Sequence, residues 1–409
     1  MTDMVAARDA AYAMPLDAYD MSEPTRFQND TIWPFFERLR KEAPVHYCKE
    51  SAFGPYWSIT RYKDIMEVDT NHRAFSSQGG ISLSDAPNPK LQLPMFIAMD
   101  PPKHAEQRKA VSPIVAPSNL ANLEGLIRQR VITILESLPI NETFNWVEHV
   151  SIELTTQMLA TLFDFPFEDR HLLTKWSDRA TILPRNEAEW QAREDDLQHC
   201  LAYFVRLWNE RVNAPPKHDL VSMLAHNPAT RDMDPRQYLG NLILLIVGGN
   251  DTTRNSITGG LYFLSQNPPE FTKLRANPAL IPNMVSEIIR YQTPLAYMRR
   301  RATQDIEMHG QKIKAGDKVL MWYISGNRDE EVIDRPNEFL IDRPRARQHL
   351  SFGFGIHRCV GNRLAEMQLK IVWEEILQRN LKIDVVGPAE RLPSSFVHGF
   401  TKLPVRIAA

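Results

Sequence analysis

The sequence predicts a mainly α-helical fold with small β-sheets, on three observations. Apolar residues recur three and four apart over residues 120–138, 151–162, 197–212, 238–264 and 280–291, the spacing that gives a helix one buried face. Short strand-like patterns lie towards both ends, at 56–60, 307–313, 318–324 and 381–386, with Gly310 and Gly316 as turn residues. A long helix-rich middle flanked by short strands lacks the regular strand–helix alternation of a doubly wound α/β sheet. The 29 prolines, scattered from Pro15 to Pro404, cut the chain into short elements, and no stretch is repeated at fixed period.

Bulk properties bound what this fold can serve. With 409 residues, 43% hydrophobic and 24% charged, the chain can bury a large core, expected as a single domain over 1–409 with an N-terminal extension over about 1–30. A formal charge of −2 supplies no global field for nucleic acid or an anionic membrane, so any electrostatic partner must meet a local patch. Cys48, Cys200 and Cys359 are too few and too scattered for a disulfide framework or a zinc pattern, which fits a reducing cytoplasm. Residues 1–13 include Asp3, Arg8 and Asp9, unlike a signal peptide. The longest strongly apolar run, 242–247, falls well short of the roughly 20 residues that span a bilayer. A soluble, cytoplasmic protein without a membrane anchor is expected.

One cysteine stands in a setting that packing does not require. Residues 351–361 read Ser-Phe-Gly-Phe-Gly-Ile-His-Arg-Cys-Val-Gly, and a helix follows over 362–378. Glycines let the backbone approach a flat ligand, and amides at the helix start favour a thiolate over a thiol. Phe352, Gly353, Gly355, His357, Cys359 and Gly361 meet every fixed position of F-G-x-G-x-H-x-C-x-G, and in this the loop resembles the haem-binding loop of the cytochrome P450 superfamily. The resemblance implies haem b held between a long central helix and the cysteine loop. Cys359 would be the axial iron ligand, and His357 would be directed at a haem propionate. Thiolate ligation of this kind promotes oxygen cleavage.

Three further constellations extend the resemblance. Residues 242–253 read as a buried helix that loses bulk at Gly248 and Gly249 and then offers an acid and an alcohol, Asp251 and Thr252. On the residues alone, Asp251 is equally a helix N-cap. The resemblance makes Thr252 the oxygen-side hydroxyl and Asp251 the link to a proton relay. Glu287 and Arg290, three apart on a helix, are by themselves an ordinary surface pair. They resemble the superfamily's E-x-x-R element, with Arg343 completing a buried structural network. His104 and Arg108, four apart, project from one helix face and can clamp one anion. In similar proteins these positions bind haem propionate together with an arginine six residues after a proline, here Arg300 after Pro294. Alternation along this extended segment separates Arg300 from Arg299 and Arg301.

Together these imply a monooxygenase that inserts one atom of dioxygen into a C–H bond and reduces the other to water. The chain ends about fifty residues after Cys359, so electrons are expected from a separate [2Fe-2S] ferredoxin and its ferredoxin reductase. Arg345, Arg347, Arg358 and Arg363 are candidates for the docking patch. A peroxide-driven relative would replace the acid–alcohol pair, and a non-catalytic haem sensor or electron carrier would have no use for it. Residues 96–104, 248–256 and 293–300 resemble the soluble bacterial medium-chain alkane terminal hydroxylases. The expected pocket is apolar: Met95, Phe96 and Ile97; Leu244, Leu245 and Gly248; Leu295, Ala296 and Met298; Phe396 and Val397. Medium-chain fatty-acid ω-hydroxylation is the alternative for the same pocket, and a cyclic terpene is a third candidate.

Overall fold

In the computed structural model, which describes residues 2–408, one helix organises the molecule. This central helix, Pro235–Gln266, is 32 residues long. Pro235 sits in its first turn, where no amide partner is lost, and the Asp234 side chain accepts from the amides of Arg236 and Gln237. The helices Glu153–Phe163, His171–Thr181, Ile281–Gln292 and Asn362–Gln378 pack around it. Small residues permit the closest approaches. A Cβ on Gly260 would lie 2.8 Å from Ile288 and 3.2 Å from Trp373, so only glycine lets those two helices reach the central one. The largest core cluster fills the spaces between these helices.

Short strands flank this body. Five strands pair in the order Val45–Cys48, Tyr56–Ile59, Lys318–Met321, Met298–Ala302 and Phe75–Ser76. Thr143–Asn145, Pro404–Ile407 and Ile383–Val385 form a second sheet, and two further strand pairs complete the set. The mainly helical expectation is met, and the differences are local. The helix expected at 197–212 starts ten residues earlier, at Glu187, where the Asn186 side chain caps it. The helix at 151–162 is entered through a widened turn, Val147–Ile152. The pattern at 307–313 is a hairpin of Ile306–Met308 and Gln311–Ile313 that turns at His309 and Gly310, both at positive φ. The strand expected to reach 324 ends at Met321 and gives way to the helical turn Tyr323–Gly326.

Residues from 11 onwards in the N-terminal segment pack against the body. Ala11, Tyr19, Met21 and Phe27 are fully buried, and Arg38 donates from Nη1 to the carbonyls of Ala11 and Met14, each at 2.7 Å. Among the described residues, no helix is long and apolar enough to cross a membrane.

Candidate active site and cofactor cradle

A cavity of about 320 Å³ lies between the central helix and the cysteine loop. Cys359, Val360 and Gly361 line one side of it, and Leu244, Leu245, Gly248 and Thr252 line another. Met95, Phe96, Ile97, Leu295, Met298 and Phe396 also face it. Two expected pocket residues do not. Ala296 and Val397 are fully buried in the neighbouring core cluster, whereas Leu295 and Phe396 touch both that cluster and the cavity.

The cysteine loop is fixed from behind. The Cys359 amide donates to the Phe352 carbonyl at 2.8 Å, and Gly353 and Gly355 adopt φ of 63° and 66°. A Cβ on Gly355 would stand 2.8 Å from the Asp69 carbonyl oxygen, so this glycine serves both a left-handed turn and a close approach. Of the three cysteines only Cys359 is accessible, and it opens on the cavity. Enclosure of its sulfur pushes the thiol pKa up. The amides of Gly361 and Asn362 and the cations of Arg108 and Arg358 pull it back down. That is the donor set a thiolate ligand of a metal would use.

Asp69, which sequence reasoning missed, ties this loop to the sheet. Its buried carboxylate accepts from the Phe354 amide, the Tyr323 hydroxyl and Arg300 Nη2, each at 2.8 Å. Burial raises its pKa, and Arg300 works against that rise. Arg300 also lines the cavity, whereas Arg299 and Arg301 both reach Asp85, at 2.5 and 2.8 Å. The expected alternation therefore separates one arginine for the site from two for the wall.

His104, on helix Lys103–Val111, and His357 are buried with ring centroids 4.1 Å apart. None of their four ring nitrogens has a hydrogen-bond partner among the described residues. Burial lowers both pKa values, with help from Arg108 for His104 and Arg300 for His357, to about 4 and about 2. Each is a neutral ring with an unused N–H, a costly arrangement in the interior unless an acceptor arrives. Two neutral imidazoles beside Arg108 and Arg300 would suit a ligand with two carboxylates, and Cys359 in the same cavity would supply a thiolate for its iron. The residues fit haem b.

Thr252 donates to the Gly248 carbonyl, four residues back, at 2.9 Å and faces the cavity. Asp251 is fully buried and accepts from Ser177 and from Arg254 Nη2, the latter at 2.5 Å. Arg254 also donates to Asp178, at 2.7 Å, and the Asp178 side chain is 52% exposed. Burial raises the Asp251 pKa, and the Arg254 cation and the Ser177 hydroxyl work against that rise. It lies in mid-helix, which removes the N-cap reading. Dioxygen binding and cleavage are the chemistry that haem supplies. Thr252 would offer a hydroxyl there, while the next residue back, Asp251, heads a polar chain through Arg254 to the half-exposed Asp178.

Glu287 is fully buried and binds both expected arginines, Arg290 at 2.7 and 2.8 Å and Arg343 at 3.0 and 3.1 Å. Arg290 donates onward to the Asn327 carbonyl, and Asn327 holds the Leu350 amide and Ser351 Oγ at the start of the cysteine loop. The pair is an interior brace rather than a surface contact.

Comparison with known proteins agrees with this geometry. Residues 141–405 match the sequence profile of the family described as Cytochrome P450. Linalool 8-monooxygenase from Pseudomonas putida is 34% identical over 94% of this chain and 98% of its own. Among solved structures, CYP153D17 from Sphingomonas sp. PAMC 26605 superposes with a TM-score of 0.92 at 50% identity, covering 97% of this chain and all of that one. Cytochrome P450-153 from Novosphingobium aromaticivorans gives 0.91 at 47%, covering 95% and 99%. With the thiolate loop, the orphaned histidine pair and the Thr252 hydroxyl on one cavity, the chain belongs to the cytochrome P450 family, a haem b monooxygenase.

Proposed function

We propose that this single-domain enzyme hydroxylates the terminal methyl of medium-chain alkanes, with electrons from a separate [2Fe-2S] ferredoxin. The observation that carries the reading is one continuous cavity joining Cys359 and Thr252 to a largely apolar wall. An apolar guest loses little on entering such a wall and gains by leaving water. A terminal methyl is harder to attack than the methylene beside it, so selectivity rests on shape: Leu244, Leu245, Phe96 and Leu295 must present the chain end-on. The three segments similar to medium-chain alkane hydroxylases all supply cavity residues: Phe96 and Ile97, Gly248 and Thr252, and Leu295 and Met298.

The ferredoxin assignment is supported by charge. Arg345, Arg347, Arg358 and Arg363 are exposed around the cysteine loop, and none forms an ion pair with an acid among the described residues. An acidic electron carrier would meet this basic surface close to the thiolate. The test is turnover of n-octane with a ferredoxin and its reductase, followed by product analysis. 1-Octanol as the main product is expected, and a predominance of internal alcohols would overturn the terminal assignment.

A further inference from the structure

Three arginines face the cavity, and the cofactor accounts for two. Arg108 and Arg300 stand with His104 and His357, the residues that would hold the haem carboxylates. Arg193 stands elsewhere, on helix Glu187–Val212, with its guanidinium 5.3 Å from the Trp190 ring. Its Nη2 donates to the Ala180 carbonyl at 3.0 Å, at the end of helix His171–Thr181. Nε is enclosed and has no partner among the described residues, and Nη1 makes no hydrogen bond there.

Among the described residues no carboxylate forms an ion pair with this guanidinium. Glu194, next in the chain, is engaged by Arg236 and Gln198, each at 2.6 Å. Asp196 is held by Arg179, Asp195 by Gln191, and Glu189 by Asn186 and the Arg185 amide. Burial pushes the Arg193 pKa down to about 10, with Glu194 opposing, so it stays charged at neutral pH. Its neighbours on the cavity wall include Ile182, Leu183 and Pro184, which offer no compensation. A half-buried guanidinium whose enclosed Nε has no partner among the described residues, beside apolar side chains, is unfavourable unless something in the cavity pairs with it.

We propose that Arg193 is a specificity-determining residue that anchors a carboxylate at the far end of the substrate. The cavity then takes medium-chain monocarboxylates with the ω-methyl turned towards Thr252 and Cys359. The guanidinium retains unused donors for a carboxylate, and pinning the head fixes which end of the chain reaches the reacting site. This rests on reading the cavity as a terminal hydroxylase's, and it adds an acid-ended substrate class to the alkane.

The test is a titration of the haem-loaded ferric protein with octanoate and, separately, n-octane, following the Soret band in wild type, Arg193→Gln and Arg193→Lys. The ferrous carbon monoxide band checks that each variant keeps its thiolate-bound haem. Octanoate is expected to bind wild type, and Arg193→Gln should lower the octanoate-to-octane affinity ratio at least about tenfold, as loss of a buried charge partner does. Arg193→Lys, which keeps the charge, should recover part of the ratio. An unchanged ratio in Arg193→Gln, or no octanoate response in wild type, overturns the proposal and leaves the alkane reading intact. An Arg193-dependent octanoate response with silence from octane supports the anchor and removes the alkane reading.

Discussion

The two sides of the cavity are built on different principles. Behind Cys359 the wall is a lattice of directed contacts: Asp69 gathers three donors, Glu287 holds two arginines, and Asn327 ties that brace to the loop. On the substrate side the wall is mostly apolar contact from Phe96, Ile97, Leu244 and Leu245, with Arg193 as its isolated charge. Directed contacts fix one geometry, which an iron ligand needs. Apolar contacts tolerate changes of shape, which lets a pocket be reshaped without losing its cofactor. Substitutions on the two sides should therefore differ in kind as well as in size.

The largest effect is expected at the ligand itself. Cys359→Ala should abolish native turnover and remove the spectral signature of thiolate ligation in the ferrous carbon monoxide complex. Retained native turnover would sink the assignment of Cys359. Next comes Glu287→Ala, which leaves Arg290 and Arg343 buried without their acid and should cost about 3–5 kcal/mol of stability. Denaturant unfolding of the variant would read this, and a change below about 1 kcal/mol would show that the brace is dispensable.

Legibility in the sequence followed the same division. Motifs with fixed local spacing gave Cys359, His357, Thr252 and the Glu287–Arg290 pair, because a loop or one helix turn converts spacing directly into geometry. Alternation along one strand was enough to separate Arg300 from its neighbours. Asp69 was not legible: its partners Arg300 and Phe354 lie 231 and 285 residues away, and no local pattern marks such a meeting. The chain from Asp251 through Arg254 to Asp178 had a local half, three residues apart, and a distant half supplied by another helix. Ala296 and Val397 were assigned to the pocket by adjacency to Leu295 and Phe396, which does not fix which way a neighbouring side chain turns. Arg193 carried no signal beyond its charge on a helix whose first ten residues were not assigned to it.

A smaller effect than those of the brace is expected at Thr252, whose hydroxyl the central helix presents to the cavity. Thr252→Ala removes a hydroxyl whose only partner among the described residues is the Gly248 carbonyl, so haem binding and fold should persist. Electrons would then be diverted to peroxide, read as a fall in product formed per reductant consumed. Unchanged coupling would take the hydroxyl out of proton delivery and leave the Asp251 chain to act without it.

The smallest effect is expected outside the cavity, where neither principle applies. Arg347 and Arg363 are exposed and form no ion pair among the described residues, so charge reversal there leaves no buried group stranded and should hardly alter stability. Long-range attraction to an acidic carrier should still fall, slowing association several-fold at low salt and much less at high salt. The measurement is the rate of reduction by ferredoxin as a function of ionic strength in Arg347→Glu and Arg363→Glu. A salt profile identical to wild type would move the docking surface away from the cysteine loop. A fall in the octane spectral response in the same variants would show that the two sides of the cavity are coupled, contrary to the separation drawn from their contacts.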